Sequence, residues 1–151
     1  MASGDPIRVF VTHAWQESDD YLRVFEYLES ARNFRYFNCS APGRRPDARA
    51  VEAERDELRR QIGTSEAVIA LASMLPAESA LLHFEINFAK SGDKPVIMLP
   101  AFGGELALPA EFRGLADENV AWDERAIVDA LRRQARHQES TRWDTIDFKL
   151  D

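Results

Sequence analysis

The sequence predicts one α/β domain of three layers: a mainly parallel, five-stranded sheet with helices on both faces. Short apolar, β-branched runs alternate with helix-period segments from residue 7 into the last third of the chain, the pattern of strands joined by crossover helices. Two of these runs, Ala67 to Ala72 and Lys94 to Leu99, are almost continuously apolar, as expected of central strands covered on both faces. With 151 residues, 45% of them hydrophobic, the chain can bury one real core. No internal repeat or second domain is evident, so residues 1–138 are assigned to this domain and 139–151 to a C-terminal tail.

Taken in order, Ile7 to Thr12 is a β-branched and aromatic run after a proline and reads as the first strand. His13 to Trp15 follows as a loop. Ser18, Asp19 and Asp20 offer N-caps to a helix whose apolar positions Tyr21, Val24, Phe25 and Leu28 keep the helical period. Phe34 to Asn38 reads as the second strand. Cys39 to Arg49 contains Pro42, Gly43 and Pro46 and reads as a loop, with Arg44, Arg45 and Arg49 in it. Val51 to Thr64 is a charged helix, acids crowding its first half and bases its second, as the helix dipole favours.

Ala67 to Ala72 is the third strand and Ser73 to Glu78 a loop. Ser79 to Lys90 is the next helix, Lys94 to Leu99 the fourth strand. Pro100 to Glu118 is mostly loop, with a turn of helix at Ala110 to Leu115. Asn119 to Trp122 is a short fifth strand, and Asp123 caps a last helix with Ile127, Ala130 and Leu131 on one face. In the tail, Ile146, Phe148 and Leu150 alternate with period two, which predicts an edge strand or a docking segment.

The helix at Ser79 to Lys90 holds the anomaly. His83, Asn87 and Lys90 form a polar stripe. At roughly 100° per residue the opposite stripe is Leu81, Leu82, Glu85, Phe88 and Ala89. Glu85 is therefore an acid on the apolar face. An unpaired carboxylate there costs several kcal/mol, so it is expected to be paired, protonated or set beside a cavity. In open parallel sheets ligands bind beyond the carboxyl ends of the strands. The loops on that side bring His13, Trp15, Asn38, Ser40 and Glu85 within reach of one cleft.

The net charge of −7 argues against broad nucleic-acid binding, which needs phosphate neutralisation. No apolar run approaches a membrane span, and Met1 to Pro6 lacks the apolar core of a secretory signal. The single cysteine, Cys39, fits a reducing, cytoplasmic setting. No dinucleotide-binding glycine fingerprint, P-loop, nucleophile elbow or Cys/His metal spacing is present, so neither a metal nor a bound cofactor is expected.

Ile7 to Trp15, Asn33 to Pro42, Glu57 to Ile62, Phe84-Glu85-Ile86 and Lys94 to Ile97, in that order, resemble the TIR-like domains of the Thoeris anti-phage family. The resemblance covers roughly residues 7 to 135. It implies a flavodoxin-like TIR fold and an enzyme that consumes NAD as substrate. Such an enzyme makes a cyclic or conjugated ADP-ribose signal for a partner effector. It also implies that Glu85, at the position of the family's acid on the third helix, is catalytic. Leu82 stands where many TIR enzymes carry a Trp, and Ala80 where a Ser is usual, with Ser79 adjacent. These departures leave the carboxylate in place and bear on substrate positioning.

One carboxylate is chemically sufficient for such a reaction. Most glycosidases need a second acid to protonate the leaving oxygen. Nicotinamide leaves as a neutral ring from a pyridinium, so a single carboxylate can steady the ribose cation or trap it. Arg44 and Arg45 are the candidates for the pyrophosphate. Two rivals stand beside this reading. One is a self-associating interaction module in which the tail docks; the other is an enzyme that cleaves a different N-glycosidic bond, such as a nucleoside transferase.

Overall fold

The computed structural model describes residues 5–47, 50–104 and 108–137. The tail at 139–151, assigned from sequence to an edge strand or docking segment, lies outside them. Five strands, β1 (Ile7–Val11), β2 (Tyr36–Asn38), β3 (Ala67–Leu71), β4 (Val96–Leu99) and β5 (Glu118–Asn119), form one sheet in the order β2-β1-β3-β4-β5. Every pairing is parallel. The helices are α1 (Asp19–Ser30), α2 (Val51–Gly63), α3 (Leu75–Ser91), α4 (Ala110–Arg113) and α5 (Glu124–Arg136). α1 packs with α5 and α2 packs with α3, giving the three layers read from the sequence.

The patterning explains the layers. β3 and β4 are buried at every position, which is why their sequences read as unbroken apolar runs. Their side chains meet Val24 and Leu28 of α1, Leu58 and Ile62 of α2, Leu82, Ile86 and Ala89 of α3, and Ile127 and Leu131 of α5 in one core. Two helix starts are fixed by the expected caps: Ser18 Oγ accepts from Tyr21 N at 3.2 Å, and Asp123 Oδ2 accepts from Ala126 N at 2.8 Å.

Three boundaries differ from the sequence reading. α3 starts at Leu75, after a 3₁₀ turn at Ala72–Met74, so the stretch expected to be a loop is largely helical. Pro76 does not prevent this, because a first-turn N–H has no intrahelical partner to lose. The helix is broken at Glu78 (φ −133°, ψ 40°), so the expected start at Ser79 falls on the kink. β2 begins at Tyr36; Phe34 instead stacks on Tyr36, with ring centroids 6.4 Å apart, beneath the Arg132 guanidinium. β5 is Glu118–Asn119 and does not reach Trp122, whose indole N–H donates to Pro100 O at 2.7 Å.

Strand order reverses direction at β1, so the gap between the loops after β1 and β3 is the place where such sheets receive ligands. His13 lies in the first of those loops, facing Glu85 of α3.

Candidate active site

Glu85 is fully buried. Its Oε1 accepts a hydrogen bond from the His13 backbone N–H at 3.0 Å, while Oε2 is enclosed and has no hydrogen-bond partner. No arginine or lysine pairs with it among the described residues. Burial pushes its pKa well above the ordinary carboxyl value, the negative charge of Glu78 pushes the same way, and the His13 N–H opposes both. The free site therefore favours a neutral, protonated carboxyl.

His13 is buried beside it. Nδ1 accepts from Trp15 N at 3.1 Å, so the ring hydrogen sits on Nε2 and is donated to Gln61 Oε1 at 3.0 Å. Desolvation lowers the His13 pKa, which keeps this neutral tautomer. Gln61 in turn accepts from Ala41 N at 2.8 Å and donates to Ala41 O at 3.1 Å and to Glu57 Oε2 at 2.9 Å. One amide thus ties α2 to the loops after β1 and β2. The sequence reading missed Gln61, although its place among Leu58 and Ile62 on the buried stripe of α2 was a visible signal.

Trp15 has a left-handed backbone, φ 67°, rare for a bulky residue. Its indole Nε1 is buried without a hydrogen-bond partner. Trp15 lines a cavity of about 300 Å³ together with Ala14, Arg45, Arg55, Glu78, Leu81 and Phe84. Glu85 is not itself a wall residue. Its helical neighbours Leu81 and Phe84 are, as are the two residues that follow His13.

The remaining sequence candidates divide. Arg45 is on the cavity wall but bonded to Glu54 Oε2 at 2.9 Å. Arg44 is off the wall, exposed, and 3.7 Å from Glu57. Asn38 and Ser40 close a ring of hydrogen bonds with Tyr21: Asn38 Nδ2 donates to Tyr21 Oη at 3.2 Å, Tyr21 Oη to Ser40 Oγ at 2.9 Å, and Ser40 Oγ to Asn38 Oδ1. That ring satisfies all three side chains and touches His13 through the Tyr21 ring, 6.4 Å away. Leu82 is completely enclosed in the core with Ile86 and Ala89 and is not on the wall of this cavity. Arg55, Glu78 and Phe84 are wall residues that the sequence reading did not single out. Among the described residues no group of three or more His, Cys, Asp or Glu is placed to hold a metal, and no helix is long and apolar enough to cross a membrane.

No family model matches the chain, and no curated protein matches it. Among solved structures the fold is similar to the CMP N-glycosidase BcmB of Clostridium botulinum. The TM-score is 0.51 and the identity 19%, over 82% of this chain and 97% of that one. At that identity the likeness shows the fold: the flavodoxin-like order of a five-stranded parallel sheet flanked by helices.

Proposed function

We propose that this protein cleaves the bond between a ribose C1′ and the ring nitrogen of a nucleotide's base, with Glu85 as the catalytic group. The observation that carries the proposal is the fully buried Glu85 carboxyl, fixed through one oxygen by a backbone N–H and left with the other unpartnered, behind the wall of a cavity at the sheet's switch point. A structural acid at such cost would be paired with a cation. The name of BcmB, a CMP N-glycosidase, belongs to the same reaction class and supports it.

The protonation state gives Glu85 two uses. Against a neutral base such as cytosine, the carboxyl proton passes to the departing ring as the C1′–N bond breaks and its electron pair leaves with nitrogen. The carboxylate formed in that step then faces the positive charge growing at C1′, steadies it or bonds to it, and water completes the cleavage. Against NAD, the positive charge of the bound nicotinamide ring favours the ionised acid, so Glu85 releases its proton to water and faces the ribose as a carboxylate. Nicotinamide then leaves without needing a proton.

NAD is the substrate that the TIR-like resemblance implies, and a nucleotide signal to an effector in anti-phage defence is the role that goes with it. A 300 Å³ cavity matches a mononucleotide-sized portion of either substrate. Trp15, two residues after His13, lines the cavity, and its buried indole N–H has no hydrogen-bond partner.

The test is incubation of the purified protein with NAD and with each ribonucleoside monophosphate, with and without lysate from phage-infected cells, followed by mass analysis of released bases. Release of nicotinamide or of a nucleobase is expected. Glu85→Gln should lower it by at least roughly a thousandfold, while circular dichroism stays that of the parent. Undiminished turnover by Glu85→Gln would overturn the assignment.

A further inference from the structure

The cavity wall is polarised. Its α3 side carries Glu78, whose charge is felt by Glu85; Glu54 and Arg55 come from α2, and Arg45 from the loop before it. Four charged side chains line it: Arg45, Glu54, Arg55 and Glu78. Arg45 and Glu54 neutralise each other at 2.9 Å. Arg59, one turn further along α2, is held by Glu52 at 2.9 Å and Asp56 at 2.7 Å. Arg55 has no such carboxylate within ion-pair distance among the described residues. Its guanidinium instead rests 5.0 Å from the centre of the Phe84 ring, itself a wall residue.

A guanidinium parked on an aromatic face keeps its in-plane N–H donors free, and those donors match the paired oxygens of a phosphate. Glu54 is already paired with Arg45, which leaves Glu78 as the acid of the wall that repels a phosphate and can accept from ribose hydroxyls.

Resting on the N-glycosidase reading above, we infer that Arg55 is the phosphate-recognising residue of this cavity and that the substrate class is nucleoside 5′-phosphates in preference to free nucleosides. Arg44 and Arg45, the arginines that the sequence offered for this task, are already committed to Glu57 and Glu54.

The experiment separates binding from chemistry. Glu85→Gln protein, which holds ligands without consuming them, is titrated calorimetrically with CMP and cytidine, and with nicotinamide mononucleotide and nicotinamide riboside. At least one phosphate-bearing probe should bind about tenfold or more tightly than its nucleoside. Adding Arg55→Gln should bring that probe's affinity down to the nucleoside's level, and adding Arg55→Lys should retain part of the difference. Equal affinities within both pairs, a preference that survives Arg55→Gln, or no binding of any probe would overturn the inference. Failure of the catalytic reading would appear separately, as parent protein that binds the phosphate probe through Arg55 yet releases no base from it.

Discussion

Acids at the two edges of the same sheet use one device, and Glu85 lacks a single part of it. At the amino edge, Glu66 precedes β3 and accepts the Arg8 backbone N–H at 3.1 Å, while Arg136 of α5 bonds both of its oxygens, at 2.6 and 2.9 Å. Asp117 precedes β5 and accepts the Val96 N–H at 2.7 Å, while Lys90 of α3 bonds its two oxygens at 2.9 and 3.0 Å. At the carboxyl edge, Glu85 likewise accepts a backbone N–H, that of His13, but among the described residues no cation pairs with it. The amino edge completes its acids and gains stability. At the carboxyl edge Asp20 is completed in the same way, by the Phe102 N–H at 3.1 Å and Arg23 at 2.9 Å, whereas Glu85 lacks the cation among the described residues and is costly to ionise.

The pH dependence of stability should separate the two edges most widely at Glu85. Its pKa is raised in the folded protein above the ordinary value of 4.5, so from about pH 4.5 upward the folded state holds a proton that the unfolded chain has released. Stability then falls as pH rises. The loss runs at up to about 1.4 kcal/mol per pH unit until the folded-state value is reached. Glu85→Gln cannot ionise and escapes it. The variant should match the parent near pH 4.5 and exceed it at pH 7 in urea melts. Parallel curves for the two proteins would mean that Glu85 is not held neutral.

Glu66 should show the opposite sign. The hydrogen bond from Arg136, with those of Arg8, holds its pKa below the usual carboxyl value against a smaller desolvation cost. Its stabilisation is present above about pH 4.5 and disappears as pH falls through the lowered folded value. Glu66→Gln should cost about 2 kcal/mol at pH 7, since two guanidiniums lose their charged partner in a half-buried site. The cost should shrink towards zero in acid. Persistence of the full cost at low pH would assign it to packing.

This contrast also marks what the sequence could and could not reveal. Glu85 was legible because a lone acid on a helix's apolar stripe is anomalous at the level of periodicity. The parallel sheet and its layers were legible because β3 and β4 are apolar throughout and helices alternate with strands, whereas the strand order came from the structure. The pairing at the amino edge was not, since Glu66 with Arg136 spans 70 positions and Lys90 with Asp117 spans 27. Nothing local distinguishes a paired charge from a solvated one. For the same reason Arg44, Arg45 and Arg55 looked alike in sequence, and only their surroundings in space tell Arg44 and Arg45, each within ion-pair distance of a glutamate, from Arg55, which has no such partner among the described residues. Leu82 was offered for the site on the strength of a resemblance; it is enclosed in the core and is not on the cavity's wall.

The smallest expected effect tests whether the amino edge draws its stability from the cation or from the backbone bond. Lys90 and Asp117 are about one-third exposed, with side chains 38% and 31% accessible, so water and salt screen their pairing. Lys90→Ala should therefore cost no more than about 0.5 kcal/mol, and less in high salt, because Asp117 keeps its bond from Val96 N. If the cost instead approached that of Glu66→Gln, exposure would not be what grades these acids. The absence of a cation at Glu85 would then weigh more heavily as the feature that separates it from the paired acids.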